Sequence, residues 1–175
     1  MRLFLPLLCL MLAFVAGHAQ TTAAMQSPTV TKSSMHTLTL RLRPGQDLRQ
    51  QLTALVKAEG IKAGAMLTCV GSLTQVTLRL ANQEVPTEYR GHFEIVSLVG
   101  TLAESGSHLH LSVADSTGRT SGGHLLDGNL VYTTAEIVVG VLDDVEFRRE
   151  EDPIFGYKEL TVRPRAHRKA GKRKP

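Results

Sequence analysis

Leu38, Leu40 and Leu42 alternate with Thr39, Arg41 and Arg43, and Pro44-Gly45 closes the run. A period of two puts every second side chain on one face of an extended chain, so this segment predicts a half-buried β-strand. The period then changes. Leu48, Leu52, Leu55 and Val56 recur at three- and four-residue intervals, which is one face of an α-helix. Asp47 stands where an N-cap would, Gln50 follows three residues later and Gly60 lies past the last periodic position. These signals delimit one amphipathic helix over about Leu48 to Glu59.

Downstream, strand patterns dominate. Ala65 to Val70 is apolar and predicts a strand ended by a turn at Gly71-Ser72-Leu73, and Val76 to Leu80 alternates again. Phe93 to Leu102 is apolar except for Gly100, His108 to Ala114 alternates strictly, and Asp115 to Gly118 has turn chemistry. Leu130 to Leu142 is rich in Val, Ile and Thr, residues that suit a pleated surface. The charged run Glu146 to Asp152 predicts a solvated edge, and Phe155 to Val162 a last strand. One helix among many strands implies an α+β fold, a mostly antiparallel β-sheet with the amphipathic helix packed on it. No internal repeat, Walker-type loop or helix-turn-helix pattern is present.

The first residues change the organisation. Arg2, the apolar stretch Leu3 to Val15, and Gly17 with Ala19 have the order of a signal peptide cleaved after Ala19. The apolar stretch is shorter than the ~20 residues of a membrane-crossing helix. The sequence therefore divides into a signal peptide over 1–19, a polar linker over 20–34, a domain over 35–162 and a basic, disordered tail over 163–175. No stable membrane span is expected, and the mature protein is expected outside the cytoplasm, periplasmic or secreted. Cleavage removes Cys9 and leaves Cys69 as the one thiol. No intramolecular disulfide can form, and Cys69, inside an apolar run, reads as a small buried hydrophobe.

Charge is divided unevenly. The 175 residues carry a formal +4, but Arg163, Arg165, Arg168, Lys169, Lys172, Arg173 and Lys174 place seven positive charges in the tail with no acid. The remainder carries −3. The tail is then either a solubilising end or a binder of DNA or another polyanion, while the body has no cationic excess to offer a phosphate backbone.

His108 and His110 project from one face of their predicted strand together with Ser112, and Leu109, Leu111 and Val113 from the other. Two imidazoles at that spacing can share a metal ion, and His124, delivered by a predicted Gly122-Gly123 turn, is the candidate third ligand. Neutral imidazole suits zinc, and three protein ligands leave a coordination position open. The alternative is that these histidines bond to the backbone or to one another across a subunit boundary. Glu136 is either an acceptor that fixes a histidine tautomer or an exposed strand carboxylate. Asp115 and Arg119 read as a local ion pair. Ser107 and Ser112 lie near the histidines, but no oxyanion hole accompanies them and no catalytic residue is assigned.

The segment Gly106 to Leu130, GSHLHLSVADSTGRTSGGHLLDGNL, resembles the signature of the plant and prokaryote conserved (PPC) domain. Pro44-Gly45-Gln46-Asp47, Gly71-Ser72-Leu73 and Gly91-His92-Phe93-Glu94-Ile95-Val96 match the same family in order. The resemblance implies a homotrimer in which the sheets of neighbours meet, and a binding or assembly module often described as DNA-binding. Plant members join AT-hooks to the domain. This chain has no Arg-Gly-Arg-Pro core and carries His92 where the plant pattern has arginine.

The signal sequence predicts a mature N-terminus at Gln20 and a protein that leaves the cytoplasm. Cell fractionation with N-terminal sequencing checks this, and an intact Met1 on cytosolic protein would refute it.

Overall fold

The computed structural model describes residues 30–154 and 156–165. The elements run β1 (Met35–Leu42), α1 (Leu48–Ala58), β2 (Gly64–Arg79), β3 (Thr87–Leu102), β4 (His108–Ala114), β5 (Thr120–Leu125), β6 (Leu130–Leu142), β7 (Val145–Glu151) and β8 (Lys158–Pro164). The expected α+β class, mostly antiparallel sheet with one short helix, is what forms. Among the described residues no helix is long and apolar enough to cross a membrane.

Six strands make the main sheet in the order β1-β6-β2-β3-β4-β5. β2 organises it, because at 16 residues it is long enough to pair with β6 along its first part and with β5 at Leu78 and Arg79. Its other edge pairs with β3. The path β2-β3-β4-β5 therefore returns to β2 and closes a small barrel at that end. Inside lie Leu73, Val76, Leu78, Leu98, Leu102, Leu111 and Val113. Helix α1 adds Leu48, Leu52 and Val56 to the same core, each worth roughly 2 kcal/mol on burial.

Three local expectations change. The predicted turn at Gly71-Ser72-Leu73 is the interior of β2, where the pairing with β6 shifts register; the irregularity that a glycine signals is a bulge, and the strand continues through it. The predicted Gly122-Gly123 turn lies within β5, whose glycines pair with Leu111 and Ser112 of β4. The charged run after Val145 is strand β7, because Val145 and Phe147 alternate inward onto a small cluster with Ala63 and Ala103. β7 and β8 form a separate two-stranded ribbon. β8 runs to Pro164, so Arg163 belongs to the folded domain and ion-pairs with Glu150.

A buried polar knot seats the helix. The Asp47 side chain accepts the Gln50 N–H at 3.0 Å as an N-cap and also the N–H groups of Gly128 at 2.5 Å and Asn129 at 3.2 Å. Asn129, fully buried, donates its amide to the carbonyls of Thr77 and Leu126 and accepts the Thr77 N–H. Two sequence motifs about eighty residues apart are one hydrogen-bonded unit. No buried side-chain nitrogen or oxygen among the described residues lacks a partner.

Replacing Asp47 with Ala removes the cap and leaves two more N–H donors without their acceptor. Caps are worth about 1 kcal/mol and each buried orphaned donor costs about 1–3 kcal/mol, so Asp47→Ala should destabilise by roughly 3 kcal/mol or more. Denaturant unfolding measures this, and a loss under ~1 kcal/mol would show that the knot is dispensable.

Candidate metal centre

β4 presents His108 and His110 outward while Leu109, Leu111 and Val113 are buried, as the alternation requires. His124 arrives from β5, whose register sets it directly opposite His110. The Nε2 atoms of His108 and His110 are 3.1 Å apart. The rings of His108 and His124 stack at 4.9 Å between centroids, and those of His110 and His124 meet edge-on at 4.3 Å. One potential ligand atom from each histidine lies within 4.8 Å of those of the other two. Around tetrahedral zinc, ligand nitrogens ~2.05 Å from the ion stand about 3.4 Å apart, so modest side-chain rotation converts this cluster into a three-nitrogen ligand set. The donor chemistry fits zinc, and the geometry fits a face-capping triad with one side open.

Two glycines make the convergence possible. Gly100, with φ of +138°, lies where a Cβ would overlap the His108 carbonyl oxygen, so a side chain there would push β4 off β3. At Gly123 a Cβ would stand 2.7 Å from the Arg79 carbonyl oxygen. Only glycine lets β5 press against β2 while it carries the adjacent His124 to the cluster.

The surroundings disfavour the protonated form of His108 and of His124. Burial lowers the pKa of His108 below its ordinary value, helped by Arg149, His110 and Arg79 and opposed by Glu159. His124 is lowered by burial, then by Arg79 and the other two histidines. Arg79 pairs in register with His124, and Arg149 reaches across from β7 to donate to the Thr101 hydroxyl at 2.7 Å. Thr101 is itself in register with His108. A cleft of about 660 Å³ opens beside the cluster, lined by His108 and His124 and by Arg79, Ser107, Arg149 and Lys158 among others. Neither arginine nor the lysine stood out in the sequence. Arg149 and Lys158 sat in what read as a solvated edge and a terminal strand, with no spacing relation to the histidines.

Other sequence expectations fare variously. Glu136 is exposed on β6 between Arg41 and Val70, and β2 and β3 separate its strand from the histidine strand; it is the exposed strand carboxylate. Asp115 accepts from the hydroxyl and N–H of Thr117 and from the Arg119 N–H, so it caps a turn through the backbone rather than pairing with the guanidinium. Those bonds, the Thr117 hydroxyl first, hold its carboxyl below the ordinary range. Burial pushes the Cys69 thiol up to about 12, in keeping with an inert buried side chain. Of the seven tail cations, Arg163 is in β8, Arg165 follows with its N–H bonded to the Asp144 carbonyl, and Arg168, Lys169, Lys172, Arg173 and Lys174 lie outside the described residues.

The family model of the Plants and Prokaryotes Conserved (PCC) domain matches residues 29–143. The chain belongs to that family. The PCC match covers the core sheet, the helix and all three histidines, and ends just before β7. Over 125 residues the chain is 50% identical to the bifunctional protein GlmU of Synechococcus sp. (strain JA-2-3B'a(2-13)), an alignment covering 71% of this chain and 20% of that protein. Over 113 residues it is 34% identical to the AT-hook motif nuclear-localized protein 13 of Arabidopsis thaliana, covering 58% of this chain and 25% of that protein. The chain thus spans a fifth to a quarter of the length of these curated relatives. Among solved structures, a hypothetical protein of Salmonella superposes with a TM-score of 0.77 at 43% identity, over 78% of this chain and 99% of that one. A protein from Archaeoglobus fulgidus described as metal-containing shares the PCC fold with a TM-score of 0.67 at 24% identity, over 77% and 99% of the two chains.

In metal-free PCC protein, His108 and His124 should titrate below the ordinary 6.5. The unfolded chain then binds more protons than the folded one in the window beneath 6.5. Their contribution to stability is therefore complete above that pH and is lost as pH falls through the folded values. Imidazole proton NMR reads the midpoints, and a His108 midpoint above 6.5 would contradict this environment.

Proposed function

We propose that this PCC domain is an exported, homotrimeric binding module in which His108, His110 and His124 hold one zinc ion per subunit. The observation that carries the reading is the convergence of three imidazoles from two paired strands onto one point. The apolar core does not require it: His108 and His110 face away from the core, and the hydrogen bond between their Nε2 atoms does not involve His124. A metal ion would give one lone pair from each of the three imidazoles a common acceptor. Bound zinc would supply a Lewis-acidic centre with an open position. The protein's own residues would favour neutral His108 and His124 and orient whatever enters beside Arg79 and Arg149.

Self-association has separate support. Leu67 and Val70 on β2, Val96 and Val99 on β3 and Tyr132 on β6 are exposed, and the His92 ring packs on Tyr132 at 4.3 Å. Apolar side chains repeated across neighbouring strands favour a partner sheet over water. Val99 is in register with His110, so a trimer built on this face would set the metal centre at the subunit boundary.

Nucleic-acid binding is the second reading, favoured by the plant AT-hook relative. The body's negative balance opposes it, and with Arg163 paired to Glu150 six tail cations remain to contact phosphate. DNA binding should be indifferent to sequence, fall with log salt at a slope of about −5, and vanish on truncation after Pro164. Sequence-specific binding by the truncated protein would show that the folded domain reads DNA.

Elemental analysis of the purified protein equilibrated with zinc should give one ion per chain, with loss of the ion in His108→Ala and His124→Ala. Sedimentation should give a trimer. Wild-type protein that retains no zinc would overturn the metal reading, and a monomer at micromolar concentration the assembly.

A further inference from the structure

The cleft beside the histidines is polar and cationic on a body that is acidic overall. Arg79, Arg149 and Lys158 line it against one acid, Glu159. Arg79, which is half-buried, and Lys158 make no side-chain hydrogen bond or ion pair among the described residues. Arg149 is oriented by Thr101, and its stem leans over Gly106, where a Cβ would come within 3.5 Å of it. Two arginines thus line the cleft beside the imidazole cluster, one from β2 and one from β7.

The ribbon that brings Arg149 and Lys158 is tied down for the purpose. The Ser105 hydroxyl donates to the Phe147 carbonyl at 2.7 Å, and the Phe147 N–H donates to the Lys62 carbonyl at 3.0 Å. β7 and β8 lie beyond the segment matched by the family model. The candidate metal ligands therefore come from the family core and two of the cleft's three cations from an added ribbon.

We infer that the cleft binds the phosphate group of a small phosphomonoester, clamped by Arg79 and Arg149 with Lys158 at the mouth. The inference rests on the metal reading for the partner at the open coordination position, and on the arginines alone for the anion class. Planar guanidinium forks match phosphate oxygens two at a time. Two arginines and a lysine, one cation offset by Glu159, balance a dianion better than a single carboxylate. A space of about 660 Å³ is too large for phosphate alone. The hydroxyl of Ser107 and the exposed ring of Tyr157 give the remainder of the ligand a hydrogen-bonding and a stacking surface, which suits a hydroxylated or planar body of nucleoside size.

The test is calorimetry on the full chain, zinc-loaded and metal-free, with adenosine 5′-monophosphate, adenosine and inorganic phosphate as probes. Zinc content and sedimentation are followed in parallel. Adenosine 5′-monophosphate should bind at least tenfold tighter than adenosine, with inorganic phosphate competing, and Arg79→Gln and Arg149→Gln should each weaken it about tenfold while zinc content and assembly stay unchanged. Equal binding of nucleotide and nucleoside, or indifference to both substitutions in folded, zinc-loaded protein, would overturn this inference and leave the metal reading standing. Arginine-dependent nucleotide binding by protein that takes no zinc would support the anion class and overturn the metal reading instead. Absence of both overturns both.

Discussion

A buried carboxylate decides how this chain closes. Asp47 is almost wholly enclosed, and its side chain terminates three N–H donors, one at the start of α1 and two in the loop between β5 and β6. The loop in turn carries Asn129, whose amide completes the backbone of Thr77 on β2 and Leu126 after β5. Helix, barrel strand and closing loop are thereby fixed to one another through directional bonds in a low-dielectric setting, where each would be costly to leave unmade. The apolar core supplies the larger energy but little direction. This knot sets the position at which β5 can return to β2.

The histidine cluster follows from that return. His108 and His110 share a face because they share a strand, but His124 joins them only because β5 pairs with β4 on one side and touches β2 on the other. The site is therefore a product of barrel closure rather than of any loop, and it stands on rigid elements, where geometry is better held than on flexible ones. The arginines arrive by two more routes, β2 and the terminal ribbon, which explains why the centre is bordered by positive charge although the body is acidic.

Much of this was legible in the residues. The strict alternation at His108 to Ala114 gave β4 its true limits and its polar face, and the signals at Asp47 and Gly60 bounded α1 to within a residue. Glycine was misleading for one physical reason. At Gly71 and Gly123 it marks places where two backbones come too close for a Cβ, and a local pattern cannot distinguish that from a reversal of the chain. The ribbon strand β7 was hidden because its inward alternation, Val145 and Phe147, is short and surrounded by charge. Arg79 and Arg149 were invisible as site residues since their relation to the histidines is one of cross-strand register and tertiary approach, neither of which leaves a spacing in the sequence.

The ladder between β5 and β2 has two paired residues, Leu78 with Leu125 and Arg79 with His124, with the Leu126 N–H donating to the Thr77 carbonyl just beyond them. A seam that short is where a small barrel would first part in thermal fluctuation. His124 sits on the seam itself, and its two companions sit on the strand that the seam holds in place. Any ligand that draws the three imidazoles together therefore acts as a latch across the joint, slowing the opening of the whole barrel from a point on its outer surface. Durability would then be governed at the rim, by occupancy, while the packing of the interior stays as it is.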